Sequence, residues 1–142
     1  MHARRRIVDE VGIVLKNLAT TGGTVYDEPA AAIESDTFPA VVIEIKGETV
    51  EVLGDVLVTA PHVQLRRLNI TTTVFAKSIT DRDQACLEIE EAIMDSDIAR
   101  DRKLLESDFE ANGDGASRIW SALISFELTY LTNSSYPRAE YR

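Results

Sequence analysis

Residues 63–76 read VQLRRLNITTTVFA, and this stretch decides the fold class. Its side chains alternate in character, with Leu68 and Ile70 on one side and Arg67 and Asn69 on the other. A period of two residues is that of a strand whose side chains point to opposite faces of a sheet. We therefore predict one long strand over 63–76.

A second long alternation occupies residues 118–132, where Phe126 and its apolar partners face away from Glu127. It follows the sequence Asn-Gly-Asp-Gly at 112–115, a strong turn signal. We predict a closing hairpin, with its first strand near Leu104–Glu110 and its second over 118–132. Shorter strands are predicted over 24–27, 40–45 and 49–53, with a tight turn at 46–48.

Two segments have the spacing of amphipathic helices. The apolar residues of 7–18 fall within an arc of about 120°, and Thr80 is a suitable N-cap for a second helix. Strands that arrive in runs, with helices at only two points, predict an α+β fold. We expect a single domain over 1–142, a mixed or antiparallel sheet with both helices packed on one face, and a polar C-terminal tail at about 133–142.

The composition limits the function. The 142 residues include 24 Asp+Glu and 15 Lys+Arg, giving a net charge of −9, and such an acidic chain is repelled by nucleic-acid phosphates. One cysteine cannot form an internal disulfide, so an intracellular protein is expected. No apolar run approaches the ~20 residues that cross a bilayer, so no membrane association is expected.

The residues that most often carry catalysis are few. His2 and His62 are expected to be solvated, and Cys86 lies on the apolar stripe of the second helix, where burial makes a thiol inert. The acids from Asp95 onward resemble a calcium loop, but Arg100 stands where such a loop needs glycine. We expect no enzyme activity, no metal and no cofactor.

The order of elements resembles that of a known family. It is carried by the first helix, by Phe38-Pro39-Ala40-Val41-Val42-Ile43 at the start of a strand, by Arg67-Leu68-Asn69-Ile70, by the helix Asp83–Met94 and by the final Phe126-Glu127-Leu128-Thr129-Tyr130. From about Ile7 to Thr132 the chain resembles the tail terminator (minor tail protein U-like) family of long-tailed bacteriophages and phage-derived particles. The family has no diagnostic catalytic or metal motif.

The resemblance implies a structural role in the virion, at the head-proximal end of the tail, for a protein made in the host cytoplasm. It implies a homo-oligomeric ring, typically a hexamer, that caps the tail tube and gives the head or connector a docking surface. The partners would be further copies of the chain, the tail tube protein and a head-completion or connector protein. DNA would pass through the lumen without specific binding.

Two sets of residues are candidates for these contacts. Arginine is enriched at protein interfaces and lysine is not, and the chain has eleven Arg and four Lys. Candidates for subunit or tube contacts, chosen for arginine, aromatic or exposed apolar character, are Arg4, Arg5, Arg6, Ile13, Val56, Leu57, Arg66, Arg67, Leu87, Met94, Tyr136 and Tyr141. Candidates for an acidic lumen face are Asp81, Asp83, Glu88, Glu90, Glu91, Asp95 and Asp97.

Two alternatives remain open. A head–tail connector or other tail-completion protein would share the small size and the ring. A small α+β ligand-binding domain or enzyme would instead need a pocket with convergent polar groups. A nucleic-acid-binding module is disfavoured by 6% aromatic residues and the excess of acids.

Overall fold

The computed structural model describes residues 2–22, 24–27, 38–53, 63–115, 118–133 and 136–141. The predicted loop 54–61, with Val56 and Leu57, lies outside the described residues, as does His62. In chain order the elements are α1 (Ala3–Lys16), β1 (Val25–Asp27), β2 (Ala40–Leu53), β3 (Val63–Ala76), α2 (Ile79–Asp95), β4 (Asp101–Asn112), β5 (Ile119–Asn133) and β6 (Tyr136–Tyr141).

The strands form one mixed sheet in the order β1-β2-β3-β5-β4, with β6 pairing with the end of β5. β1 runs parallel to β2, and the other pairs are antiparallel. Strand β3 has the predicted bounds, Val63–Ala76, and the predicted alternation is clearest from Leu68 onward, where Leu68, Ile70, Val74 and Ala76 are buried. The predicted single α+β domain with a mixed sheet is confirmed.

Both helices pack on one face of the sheet, as predicted, and the core lies between them and the strands. The helices contribute Ile7, Val11 and Ile89, which are fully buried. From the sheet, Phe126 and Tyr130 are the largest fully buried side chains. Burying large apolar side chains on this single face is the main source of stability for a domain of this size.

Both helices begin earlier than the sequence predicted. α1 spans Ala3–Lys16 rather than 7–18, because the side chain of His2 accepts a hydrogen bond from the backbone N–H of Arg4 and caps the helix. The N-cap of α2 is Ser78, not Thr80: the Ser78 hydroxyl accepts from the N–H of Asp81, which places Thr80 in the first turn.

The tight turn predicted at 46–48 is wrong. β2 continues through it to Leu53, with a shift of register between Ile45 and Gly47 that marks a β-bulge. Because the bulge adds a residue, Glu48 comes to lie opposite Leu68, on the face that carries the helices.

The C-terminal residues expected as a polar tail include β6, whose backbone pairs with β5. No helix in the described ranges is long and apolar enough to cross a membrane.

Candidate functional site

The acidic residues predicted for a lumen face are brought together on and just after α2. Asp81, Asp83, Glu91, Asp95 and Asp97 are exposed, and the remaining two, Glu88 and Glu90, are half-buried. The helix therefore presents a strongly negative outer surface to solvent.

Glu88 differs from the other acids because it is anchored. Its carboxylate accepts hydrogen bonds from the backbone N–H of Thr20 at 2.9 Å, from the Thr20 hydroxyl and from Nε2 of Gln84 at 3.0 Å. Partial burial raises the pKa of Glu88, but these hydrogen bonds outweigh it and leave the pKa below its ordinary value. Glu88 thus connects α2 to the turn that follows α1.

A second acidic surface, which the sequence analysis missed, lies on the face of the sheet opposite the helices. The register places on it the carboxylates of Glu44, Glu51, Asp101, Glu106, Asp108, Glu110 and Glu127, with Arg67 and Lys103 as cations. We call this the open face, since neither described helix packs on it. The signal in the sequence was the alternation itself, which separates Glu106, Asp108 and Glu110 from Ser107 and Phe109.

Two of the predicted interface arginines surround Glu48. The Nη1 atoms of Arg66 and Arg4 lie 2.7 and 3.3 Å from Oε1 of Glu48, and the Tyr130 hydroxyl donates to the same carboxylate. Arg66 also donates from Nε to the Thr132 hydroxyl at 2.7 Å. Burial, followed by the hydrogen bond and charge of Glu48, raises the pKa of Tyr130 far above its ordinary value, so the hydroxyl remains a donor.

This Glu48 cluster changes the interpretation of Arg66. Only 11% of the Arg66 side chain is exposed, and 6% of the Glu48 side chain. Arg66 has the same parity along β3 as the buried Leu68, a signal the sequence contained. The role of Arg66 as an interface residue stays a prediction, and little of its side chain is accessible for such a contact.

The other predicted arginines lie at the surface. Arg5 pairs with Asp9 at 3.3 Å and with Asp27 of β1. Arg6 is exposed. Arg67 reaches Glu51 at 3.3 Å on the open face. These side chains are accessible to a partner.

The predicted exposed apolar residues are exposed. Ile13 is 61% accessible, and Leu87 and Met94 lie on the outer side of α2. The structure adds a group that the sequence analysis missed, on β4 at one end of the sheet and on the part of β2 that extends beyond its pairing with β1. They are Leu104, Leu105 and Phe109 on β4, and Val50, Val52 and Leu53 on β2. Tyr136 and Tyr141 lie in β6, where only the backbone is described.

Arg82, which is buried, fastens α2 to the β4–β5 hairpin. Its guanidinium lies 4.8 Å from the ring centre of Phe109 and 5.5 Å from that of Trp120. Arg118 covers Trp120 at 4.7 Å. Such cation–π contacts hold the edge hairpin against the end of the helix.

A groove of about 240 Å³ lies at the opposite end of the sheet, between α1 and β1. Its walls are formed by Val8, Gly12, Ile13, Val25 and Ile43, and Lys16 lies at its rim with Asp9 and Asp27. A Cβ atom added at Gly12 would meet Cδ1 of Ile43 at 3.9 Å, an ordinary van der Waals distance. The groove is therefore open where Gly12 lacks a side chain.

The Cys86 thiol and the His2 imidazole, the two described side chains best suited to nucleophilic or acid–base catalysis, have structural roles. Burial raises the pKa of the Cys86 thiol to about 11, which makes it a poor nucleophile at neutral pH. His2, expected to be solvated, is half-buried; burial and then Arg4 and Arg66 lower its pKa, consistent with its role as a hydrogen-bond acceptor. Across the ranges the structure covers, no three His, Cys, Asp or Glu residues are grouped to hold a metal ion.

Comparison with known proteins gives matches among solved structures only. No family model matches the sequence, and no curated protein is similar to it. Among solved structures, the fold is similar to a chain in the virion of a native gene transfer agent (GTA) particle. That similarity has a TM-score of 0.44 at 16% identity and covers 84% of this chain and 90% of that chain.

Proposed function

We propose that this protein is a structural component of a phage-like virion, and within it a tail terminator: a ring, typically of six copies, that caps the tail tube and receives the head or connector. The proposal starts from the family resemblance of the sequence pattern. It is supported by the α+β fold, with two helices on one face, that the resemblance implied.

The observation that carries the proposal is the distribution of exposed apolar side chains over the two edges of the sheet. One edge has Leu104, Leu105 and Phe109 on β4, and the other edge has Ile13 on α1 beside β1. A subunit of a closed ring needs two different and complementary surfaces, one for each neighbour. Exposed apolar side chains at both edges of the sheet, in addition to those on α2 and β2, are compatible with two such surfaces.

The charge supports a channel for DNA. One acidic surface lies on α2 and the other on the open face, so they occupy opposite faces of the sheet. Whichever side faces the channel, the channel is lined with carboxylates, and six copies at −9 carry about −54 in total. A like-charged wall repels DNA and forms none of the counterion-releasing contacts that cause it to adhere.

The test is assembly on tail tubes. The protein is mixed with tubes of the tail tube protein from the same particle and imaged by electron microscopy, with an unrelated acidic protein of similar size as the control. We expect one ring at one end of each tube, and tubes that no longer elongate. Rings that bind only the head or connector would identify the head–tail connector alternative, and a protein that stays monomeric with tubes present would contradict both roles.

A second test addresses the channel. Two sets of substitutions to Asn or Gln remove either the α2 carboxylates Asp83, Glu90 and Glu91 or the open-face carboxylates Glu106, Asp108 and Glu110. We expect one set, the one facing the channel, to slow DNA ejection from assembled particles, and the other to leave it unchanged. Equal ejection from both variants and the native particle would contradict the proposed use of the charge.

A further inference from the structure

Among the described residues, neither helix covers the exposed apolar side chains of β4 beyond the contact that Arg82 makes. Leu104 and Phe109 face the helix side of the sheet, since they lie opposite Phe126 and Ala122 of β5. α2 packs mainly on the neighbouring strands and contacts Phe109 through Arg82. Phe109 therefore remains 52% exposed. β4 thus extends the sheet beyond the cover that its own helices provide.

At the opposite edge of the sheet, a helix lies beside a very short strand. There α1 lies beside β1, a strand of three residues, and the groove between them is apolar at Gly12, Ile13 and Val25. The side chain of Ile13 lines this groove and is 61% exposed. Among the described residues, β1 is the last strand at this edge, and α1 lies beside it with an exposed apolar side chain.

One row of cross-strand pairs joins the two sides. Val25 pairs with Val41, Val41 with Val74, Val74 with Ala122, and Ala122 with Phe109. Val25 lines the groove and Phe109 is the exposed apolar residue of β4, so the groove and the side chain lie at the same level. A neighbour placed beside the sheet without a shift along the strands brings its Phe109 to this groove.

Strand direction and charge agree with that placement. Three antiparallel steps separate β2 from β4, and β1 is parallel to β2, so β4 of one copy and β1 of the next would pair antiparallel. The same contact brings α2, which carries six acids and one arginine, towards α1 of the neighbour, which carries four cations and two acids. Such charge complementarity favours this pairing over one between two like edges.

We propose that adjacent copies join through these two surfaces: β4 of one copy adds beside β1 of the next, and Phe109 enters the groove between α1 and β1. The occupant of the groove is thus a second copy of this chain. The inference rests on the proposed function, because it names the contact that closes the proposed ring.

Cross-linking tests the contact directly. A variant with both Ile13→Cys and Phe109→Cys carries one new thiol on each surface, and both positions are exposed. Native Cys86 is buried, and burial raises the pKa of its thiol to about 11, so we expect it to react slowly at neutral pH. Treated with a short bismaleimide in the presence of tail tubes, this variant should give a ladder of covalent oligomers, whereas an equal mixture of the two single variants should stop at dimers.

The matched control pairs Phe109→Cys with Val52→Cys. Val52 is also exposed, but the register places it about 30 Å further along the strands. We expect no ladder from this pair. A ladder of equal yield from the control would overturn the inference.

A second variant guards against loss of folding. Ile13→Glu alters a side chain that is mostly in solvent, so circular dichroism and the unfolding midpoint should be unchanged. The yield of rings on tubes should fall roughly tenfold or more, because a carboxylate would face Phe109. Rings that form normally in this variant would exclude the groove as the contact.

The outcomes separate the two proposals. If rings cap the tubes but the Ile13–Phe109 ladder is absent, the inference fails and the proposed function stands. If the ladder forms but the oligomers do not bind tubes, the contact is correct and the terminator role is wrong. If neither ladder nor capping occurs, both are wrong.

Discussion

Arg66 donates a hydrogen bond to Glu48 at 2.7 Å across the β2–β3 pair, and both side chains lie inside the protein. Arg4 and Tyr130 bind the same carboxylate, so this one acid joins α1, β2, β3 and β5. An ion pair of this kind adds little net stability over an apolar pair, but breaking it leaves an unpaired charge out of water.

Replacing Arg66 with Ala should therefore lower the free energy of unfolding by about 3–5 kcal/mol, measured by urea denaturation. The control is Arg67→Ala, one residue along on the open face. Its partner Glu51 is exposed, so its loss should cost at most about 1 kcal/mol. Equal losses for the two variants would contradict the interior role of Glu48.

The His2 cap predicts a dependence on pH. Because Nδ1 of His2 must be neutral to accept from the Arg4 N–H, and the pKa is lowered in the folded state, the unfolded chain binds a proton at higher pH than the folded one. The contribution is complete above about pH 6.5 and is lost as the pH falls through and below that value. His2→Asn keeps a capping oxygen and does not titrate. Urea denaturation at pH 7.5 and 5.5 should show that wild type loses more stability than this variant.

Arg82 predicts a spectroscopic change, because Trp120 is the one tryptophan of the chain. Arg82→Ala removes a buried cation and its stem from between Phe109 and Trp120. We expect a loss of about 1–3 kcal/mol and a shift of Trp120 emission to longer wavelength as water reaches the ring. Arg118→Ala removes an exposed cation from the same ring and should change emission with a smaller loss of stability. An unchanged spectrum in both variants would contradict these contacts.

Gly12 and Gly22 predict opposite effects of the same substitution. Gly12 lies inside α1 with room for a Cβ, so Gly12→Ala should stabilise the monomer by about 0.5–1 kcal/mol. Gly22 has a φ of +58°, which a Cβ disfavours, so Gly22→Ala should destabilise by about 1 kcal/mol. Thermal unfolding of the two variants measures both signs, and the same sign for both would be inconsistent with this backbone.

The sequence predicted those parts of the fold that depend on one local period. The bounds of β3 and the fold class follow from alternation, and the exposure of Ile13 follows from its place outside the apolar arc. The continuous β2 was missed because Lys-Gly-Glu at 46–48 is typical of a turn as well as of a bulge. Pairing of β2 with β3 along the whole strand favours the bulge over the turn, and that pairing is not visible in the local sequence.

The candidate surfaces were predictable to different degrees. The exposure of Leu87 and Met94 follows from helical spacing alone. The exposure of Phe109 does not, because it arises from the position of β4 at the end of the sheet order, where α2 reaches the ring with Arg82 but leaves half of it exposed. The groove between α1 and β1 likewise depends on how a helix packs beside a strand distant in sequence, which no local pattern encodes.

The outer edge of β4, which no described strand pairs with, also affects the protein before assembly. A long free strand is a template on which other chains can aggregate, yet this one is interrupted by a register shift between Leu104 and Glu106 and carries charges at Lys103, Asp108 and Glu110. Charges and bulges on an edge disfavour indiscriminate strand addition, and two such acidic edges repel each other. The strand that we propose joins neighbours in the ring is thus built to keep newly made copies soluble and separate until the correct opposite surface is presented.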